Sequence, residues 1–123
     1  MSIRQLTNEN FDKGLPHVPK NIGQNCAILY KLDGCHWCED ELVVWKKLNK
    51  EIGFMSFYTY TVNSTPENEA HWNKIKSTLK NKELDEGFPI IMLYSTSGKV
   101  VDYVGFQDYD ELKANIMKFI KMA

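Results

Sequence analysis

Cys35-His36-Trp37-Cys38 places two thiols three positions apart, directly after Asp33-Gly34, a pair that breaks the chain. On a helix, residues i and i+3 lie about 5–6 Å apart at Cβ, and a disulfide needs Cα atoms about 4.4–6.8 Å apart. Such a pair closes and opens with little backbone movement, as reversible two-electron redox chemistry requires. The thiolate is the nucleophile, and a free thiol of pKa about 8.5 is only about 3% ionised at pH 7. Cys35, at the N-terminal tip of a helix, would face unpaired backbone N–H groups and the positive end of the helix dipole. Lowering its pKa raises the thiolate fraction but weakens the nucleophile, with a Brønsted slope of about 0.4–0.5. The larger consequence is therefore redox poise. A stabilised Cys35 thiolate leaves readily when Cys38 attacks, and it favours the dithiol form.

The residues around the pair could modulate it. His36 would hydrogen-bond the Cys35 sulfur or place positive charge beside it, or else be a solvated first-turn histidine. Glu39, Asp40 and Glu41 suit the helix dipole but bring negative charge near the thiolate. Trp37 is either a contact for an unfolded or peptidic substrate or a ring lying over its own helix. A second constellation is Gly87-Phe88-Pro89-Ile90. A proline that opens a strand beside a glycine is a candidate cis bond. In cis, Pro89 would present the backbone of Phe88 as a strip on which a substrate strand can pair.

The elements that must position these residues follow from periodicity. Ile3 to Leu6 reads as a short edge strand, and Thr7 caps a helical turn around Glu9 to Lys13 that points Phe11 and Leu15 inward. Pro16 and Pro19 mark a connection. Cys26 to Leu32 is a continuous apolar run and predicts a central strand buried on both faces. From His36 to about Ile52 the stripe Cys38, Leu42, Trp45, Leu48 and Ile52 forms one helical face, with Gly53 ending the helix. Phe54 to Val62 predicts a strand, and Glu67 to about Lys82 a helix with Trp72, Ile75 and Leu79 facing in. Pro89 to Tyr94 and Lys99 to Val104 predict a hairpin turned at Ser97-Gly98. Asp108 to Glu111 is a capping box for a last helix with Leu112, Ile116 and Phe119 inside. The order β-α-β-α-β-α-β-β-α predicts an α/β fold with a mixed sheet and helices on both faces.

At 123 residues and a net charge of −1, the chain predicts one domain, residues 1–123, and gives no electrostatic case for nucleic acid or an anionic membrane. No apolar run approaches the roughly 20 residues of a membrane span, and the N-terminal residues lack the apolar core of a secretory signal. The expectation is a cytoplasmic monomer, without a metal or other cofactor. Three cysteines, two of them in one motif, do not make a secreted disulfide scaffold. A structural zinc site would need two ligands beyond Cys35 and Cys38, and Cys26, His17 and His71 lack the spacing. Both of those histidines are expected at the surface, Cys26 inside, and Trp45 and Trp72 in the core.

Together these residues resemble the thioredoxin superfamily, in its thioredoxin and protein-disulfide-isomerase branch, over nearly the whole chain. The opening segment IRQLTNENF, the Cys35–Cys38 motif followed by Trp45, the segment from Val62 to Glu67, and GFPIIMLYSTSGKVVDYVGF match its landmarks in order. The resemblance implies a thioredoxin fold, with Cys35 as nucleophile, Cys38 as buried resolving thiol and Pro89 in cis beside them. It implies thiol–disulfide exchange with protein substrates bound through Trp37, Phe88 and Pro89. Recycling would fall to a reductase or a sulfhydryl oxidase. The sequence departs from the pattern where the family carries a buried acid, six residues before the nucleophile, because Leu29 stands there. Cys38 thus has no obvious partner for its activation. The helix-kinking proline falls on Val43, and no Gly-Gly pair of the glutaredoxin kind follows the Pro89 strand. A redox-inert binding or chaperone-like module, presenting Trp37, Phe88 and Phe106 as an apolar patch, is the alternative.

Overall fold

The computed structural model describes residues 3–79, 82–85 and 87–122. Among these residues five strands form one mixed sheet in the order β1-β3-β2-β4-β5. They are β1 (Arg4–Leu6), β2 (Cys26–Lys31), β3 (Ser56–Thr61), β4 (Ile90–Tyr94) and β5 (Val100–Val104). The helices are α1 (His36–Glu51), α2 (Pro66–Leu79) and α3 (Tyr109–Met122). Strand β3 pairs parallel with both β1 and β2, whereas β4 runs antiparallel to both β2 and β5.

Strand periodicity divides the core into two layers. Along β2, Ile28 and Tyr30 point to one face with Tyr60, Trp72, Ile75, Ile90 and Met92. Ala27 and Leu29 point to the other, with Trp45, Leu48, Ile91, Leu93, Leu112, Ile116 and Phe119. This alternation of successive side chains explains why the central strands are apolar at every position. Each fully buried aliphatic or aromatic side chain contributes about 1.5–3 kcal/mol of transfer free energy. Helices α1 and α3 cover the Leu29 face, and α2 covers the Tyr30 face. The polar core is small and well connected: Asn68 on α2 donates to Thr61 O (3.1 Å) and Ser64 Oγ (3.0 Å) and accepts from Asn8 N (3.0 Å).

Several local expectations change. The expected first helix is a three-residue 3-10 turn, Asn8–Asn10, closed by a reciprocal cap between Thr7 and Asn10. Asp12 then captures the amides of Gly14 and Leu15 (2.7 and 3.0 Å), which turns the chain outward. Phe11 is buried as expected, but Leu15 is 53% exposed. The expected run of α2 through 80 and 81 lies outside the described residues, and Lys82–Asp85 form another 3-10 turn.

Candidate active site

Gly34 adopts a left-handed φ of 83°, a conformation that costs other residues a Cβ clash, and so turns the end of β2 into α1. Asn63 Oδ1 accepts from Asp33 N (2.8 Å) and fixes this bend to the end of β3. Cys35 is the N-cap of α1: its backbone is extended and its sulfur accepts from Cys38 N at 3.2 Å. Glu39 lies in the first turn and Lys50 in the last, both suited to the macrodipole. Cys35 and Cys38 are joined as a disulfide, with Cα atoms 5.2 Å apart. Cys38 is fully buried, whereas Cys35 remains partly accessible.

Facing the pair, the Phe88–Pro89 peptide bond is cis, and Phe88 O lies 4.0 Å from Cys35 Sγ. The Phe88 ring is partly buried and packs on Trp72, with centroids 5.5 Å apart. The expected apolar patch is accordingly smaller than Trp37, Phe88 and Phe106 together. Trp37 is 56% exposed and Phe106 38% exposed, and their rings lie 5.6 Å apart. His36 does not reach back to the cysteine sulfur; its Nε2 lies 3.4 Å from Asp40 Oδ2, one turn on.

The loop between β5 and α3 completes the arrangement. Gly105, at φ 92°, donates its N–H to Pro89 O (2.9 Å). Two residues later, Gln107 donates its N–H to Glu41 Oε1 (2.8 Å). Glu41 corrects the sequence reading. Grouped in the sequence with Glu39 and Asp40 as a first-turn acid near the thiolate, it is 0% exposed, and its Oε2 is buried without a hydrogen-bond partner among the described residues. The buried face of α1 runs through Cys38, Glu41, Trp45 and Leu48; Leu42, assigned to that face, sits half-buried at its side. The spacing 3, 4, 3 held the signal, because Glu41 continues the Cys38–Trp45–Leu48 row better than Leu42 does. Burial pushes the Glu41 carboxyl up to about 7; the Gln107 N–H opposes this, and the Glu111 and Asp108 carboxylates reinforce it.

The remaining candidates lie elsewhere. Leu29, where the resemblance places a buried acid, lies among apolar neighbours on the α1 side of the sheet. Cys26 is a free, buried thiol pushed up to about 12 by burial. His71 is buried, contrary to expectation, because Tyr60 OH and Pro16 O occupy its Nδ1 and Nε2 at 2.7 Å each. Among the described residues no group of three or more His, Cys, Asp or Glu side chains is placed to hold a metal. Nor is any helix among them long and apolar enough to cross a membrane.

No protein-family model and no curated protein sequence matches the chain. The solved structures do. Thioredoxin f2 of Chlamydomonas reinhardtii is similar at a TM-score of 0.70 and 22% identity, over 96% of both chains. Chloroplastic thioredoxin z is similar at 0.70 and 12% identity, over 100% of this chain and 97% of that one. With its strand order, helices on both faces of the sheet and cysteine pair at the tip of α1, the chain has the thioredoxin fold.

Proposed function

We propose that residues 1–123 act as one thioredoxin-like domain that exchanges disulfides with protein substrates. The observation that carries this reading is the Cys35–Cys38 disulfide, in which Cys35 is partly accessible at a helix N-terminus and Cys38 is buried. In the reducing direction the Cys35 thiolate attacks a substrate disulfide, and one substrate sulfur leaves with its electron pair. Cys38, as thiolate, then attacks the Cys35 sulfur and releases the second substrate sulfur. The dithiol loses two electrons and the substrate disulfide gains them; reversal of each step oxidises a substrate dithiol. The Cys38 N–H aimed at Cys35 Sγ supports a stabilised thiolate there. The Phe88 carbonyl beside Cys35 and the exposed Trp37–Phe106 pair support docking of an extended polypeptide through main-chain pairing and apolar contact. A reductase or a sulfhydryl oxidase would reset the pair, according to its potential.

Redox titration in glutathione buffers, followed by alkylation and mass measurement, tests the reading. Reversible loss of two thiols at Cys35 and Cys38 is expected, with Cys26 untouched. If no buffer ratio interconverts the pair, the exchange reading is wrong and the apolar patch stands as a binding surface alone.

A further inference from the structure

A resolving thiol must lose its proton before it attacks, and the position that would take it from the sheet is occupied by Leu29. The protein itself shows the cost. Cys26, as fully buried as Cys38, is held up at about 12 by burial alone. Burial likewise disfavours the charged form of a Cys38 thiol, so its attack calls for a proton acceptor close by.

We propose that Glu41 is the proton acceptor for Cys38, supplied by α1 itself and held in place by the loop that follows β5. This rests on the exchange reading above. Glu41 lies one turn below Cys38 on the buried face of α1, where i and i+3 side chains are neighbours about 5–6 Å apart at Cβ. Long helical side chains lean toward the N-terminus, over the preceding turn, which for Glu41 is the turn of Trp37 and Cys38. One carboxylate oxygen is fixed by Gln107 N at 2.8 Å. The other is buried without a partner among the described residues, although a buried carboxylate oxygen left unpaired is costly. A thiol on Cys38, which exists only after reduction, would be that partner.

The chemistry balances. The Glu41 carboxylate takes the proton of the Cys38 S–H as the Cys38 sulfur bonds to Cys35 Sγ. The bond from Cys35 to the substrate sulfur breaks, and that sulfur departs as a thiolate. Glu41 is left as a neutral acid and returns its proton to solvent. Its acidity suits the task, since burial brings the carboxyl to about 7, where a group can both accept and release a proton. Asp108 and Glu111 are the charged groups that act on it, and both favour its protonated form. Tyr103 and Tyr109 are further titratable side chains packed on the same layer.

Glu41→Gln tests the proposal, because the amide oxygen can keep the Gln107 hydrogen bond while the proton acceptor is lost. The reduced protein reacts with 5,5′-dithiobis(2-nitrobenzoate), releasing one chromophore when Cys35 attacks and a second when Cys38 resolves the adduct. In Glu41→Gln the second phase should slow by about 100-fold at pH 7 and recover as pH rises, while the first phase keeps its rate. A second phase equal to wild type, or both phases slowed alike, would overturn the role of Glu41. Release of only one equivalent by the wild type would instead overturn the exchange reading. An independent readout needs no variant: the Glu41 carboxyl, followed by 13C NMR, should titrate at different pH in the oxidised and reduced proteins. Identical midpoints would count against the proposal.

Discussion

Ionising Glu41 in the oxidised protein should weaken the fold, and the amount can be worked from its environment. Its carboxyl moves from an ordinary 4.5 to about 7 on burial, a change of about 2.5 units at about 1.36 kcal/mol each. The folded state thus holds the proton more tightly than the unfolded state. Its contribution is complete below pH 4.5, declines as the unfolded chain releases the proton, and is gone once pH passes about 7. Across that window the wild type loses about 3 kcal/mol, a large part of the 5–15 kcal/mol of an ordinary domain. Glu41→Gln has no proton to lose. The difference in stability between variant and wild type should therefore rise by about 3 kcal/mol between pH 4 and pH 8, in favour of the variant. A constant offset from the amide does not alter that slope. Urea unfolding of the oxidised proteins at several pH values measures it, with m unchanged as the control. A difference that stays flat across this range, or turns against the variant at pH 8, would show that Glu41 is not ionised at the expense of the fold.

Two further predictions concern the other face of the sheet. Tyr30 OH and Tyr94 OH share a buried hydrogen bond of 2.8 Å, and Tyr94 OH also donates to Met92 Sδ (3.2 Å). Tyr94→Phe strands the Tyr30 hydroxyl, so it should cost about 1–3 kcal/mol and more than Tyr30→Phe in chemical denaturation; the reverse order would refute this account. His71 is held below its ordinary 6.5, by burial first and then by Lys74, against the Pro16 carbonyl. The unfolded chain therefore takes up a proton before the folded one does. Stability is complete above pH 6.5 and falls as pH drops toward the lower folded value. His71→Gln should lessen the loss measured between pH 7 and pH 5, and an equal loss in both proteins would exclude His71 as its source.

The layers of the fold were legible because strands and helices bury side chains at different periods. The uninterrupted apolar run from Cys26 to Tyr30 and the Ile90–Tyr94 run could only be central strands, and the alternation along them sorted two cores. The cysteine pair was legible because a spacing of three has one geometric meaning at a helix tip. The burial of Glu41 was not legible from residue type, although its position fits the row of Cys38, Trp45 and Leu48. A carboxylate near a helix start is ordinarily solvated, and only the β5–α3 loop, closing over it through Gln107, makes burial tolerable. The burial of His71 was not legible for a related reason. Its two partners, Tyr60 and Pro16, come from distant segments that no local pattern connects to it. Leu15 failed in the other sense: the Asp12 side chain captures the local amides and ends the turn before that residue can point inward.

The closure of Gly105 on Pro89 and of Gln107 on Glu41 has a consequence for the order in which the protein is made. Cys38 is synthesised 107 − 38 = 69 residues before Gln107. At about 5–20 residues per second, that interval lasts roughly 3–14 s on the ribosome. For most of it β2 lacks β4 at its side, and throughout it α1 lacks the loop above Glu41, so both thiols are less covered than in the finished fold. A nascent chain trapped at that stage would expose Cys38 to direct attack, a hazard the finished fold removes by burying it.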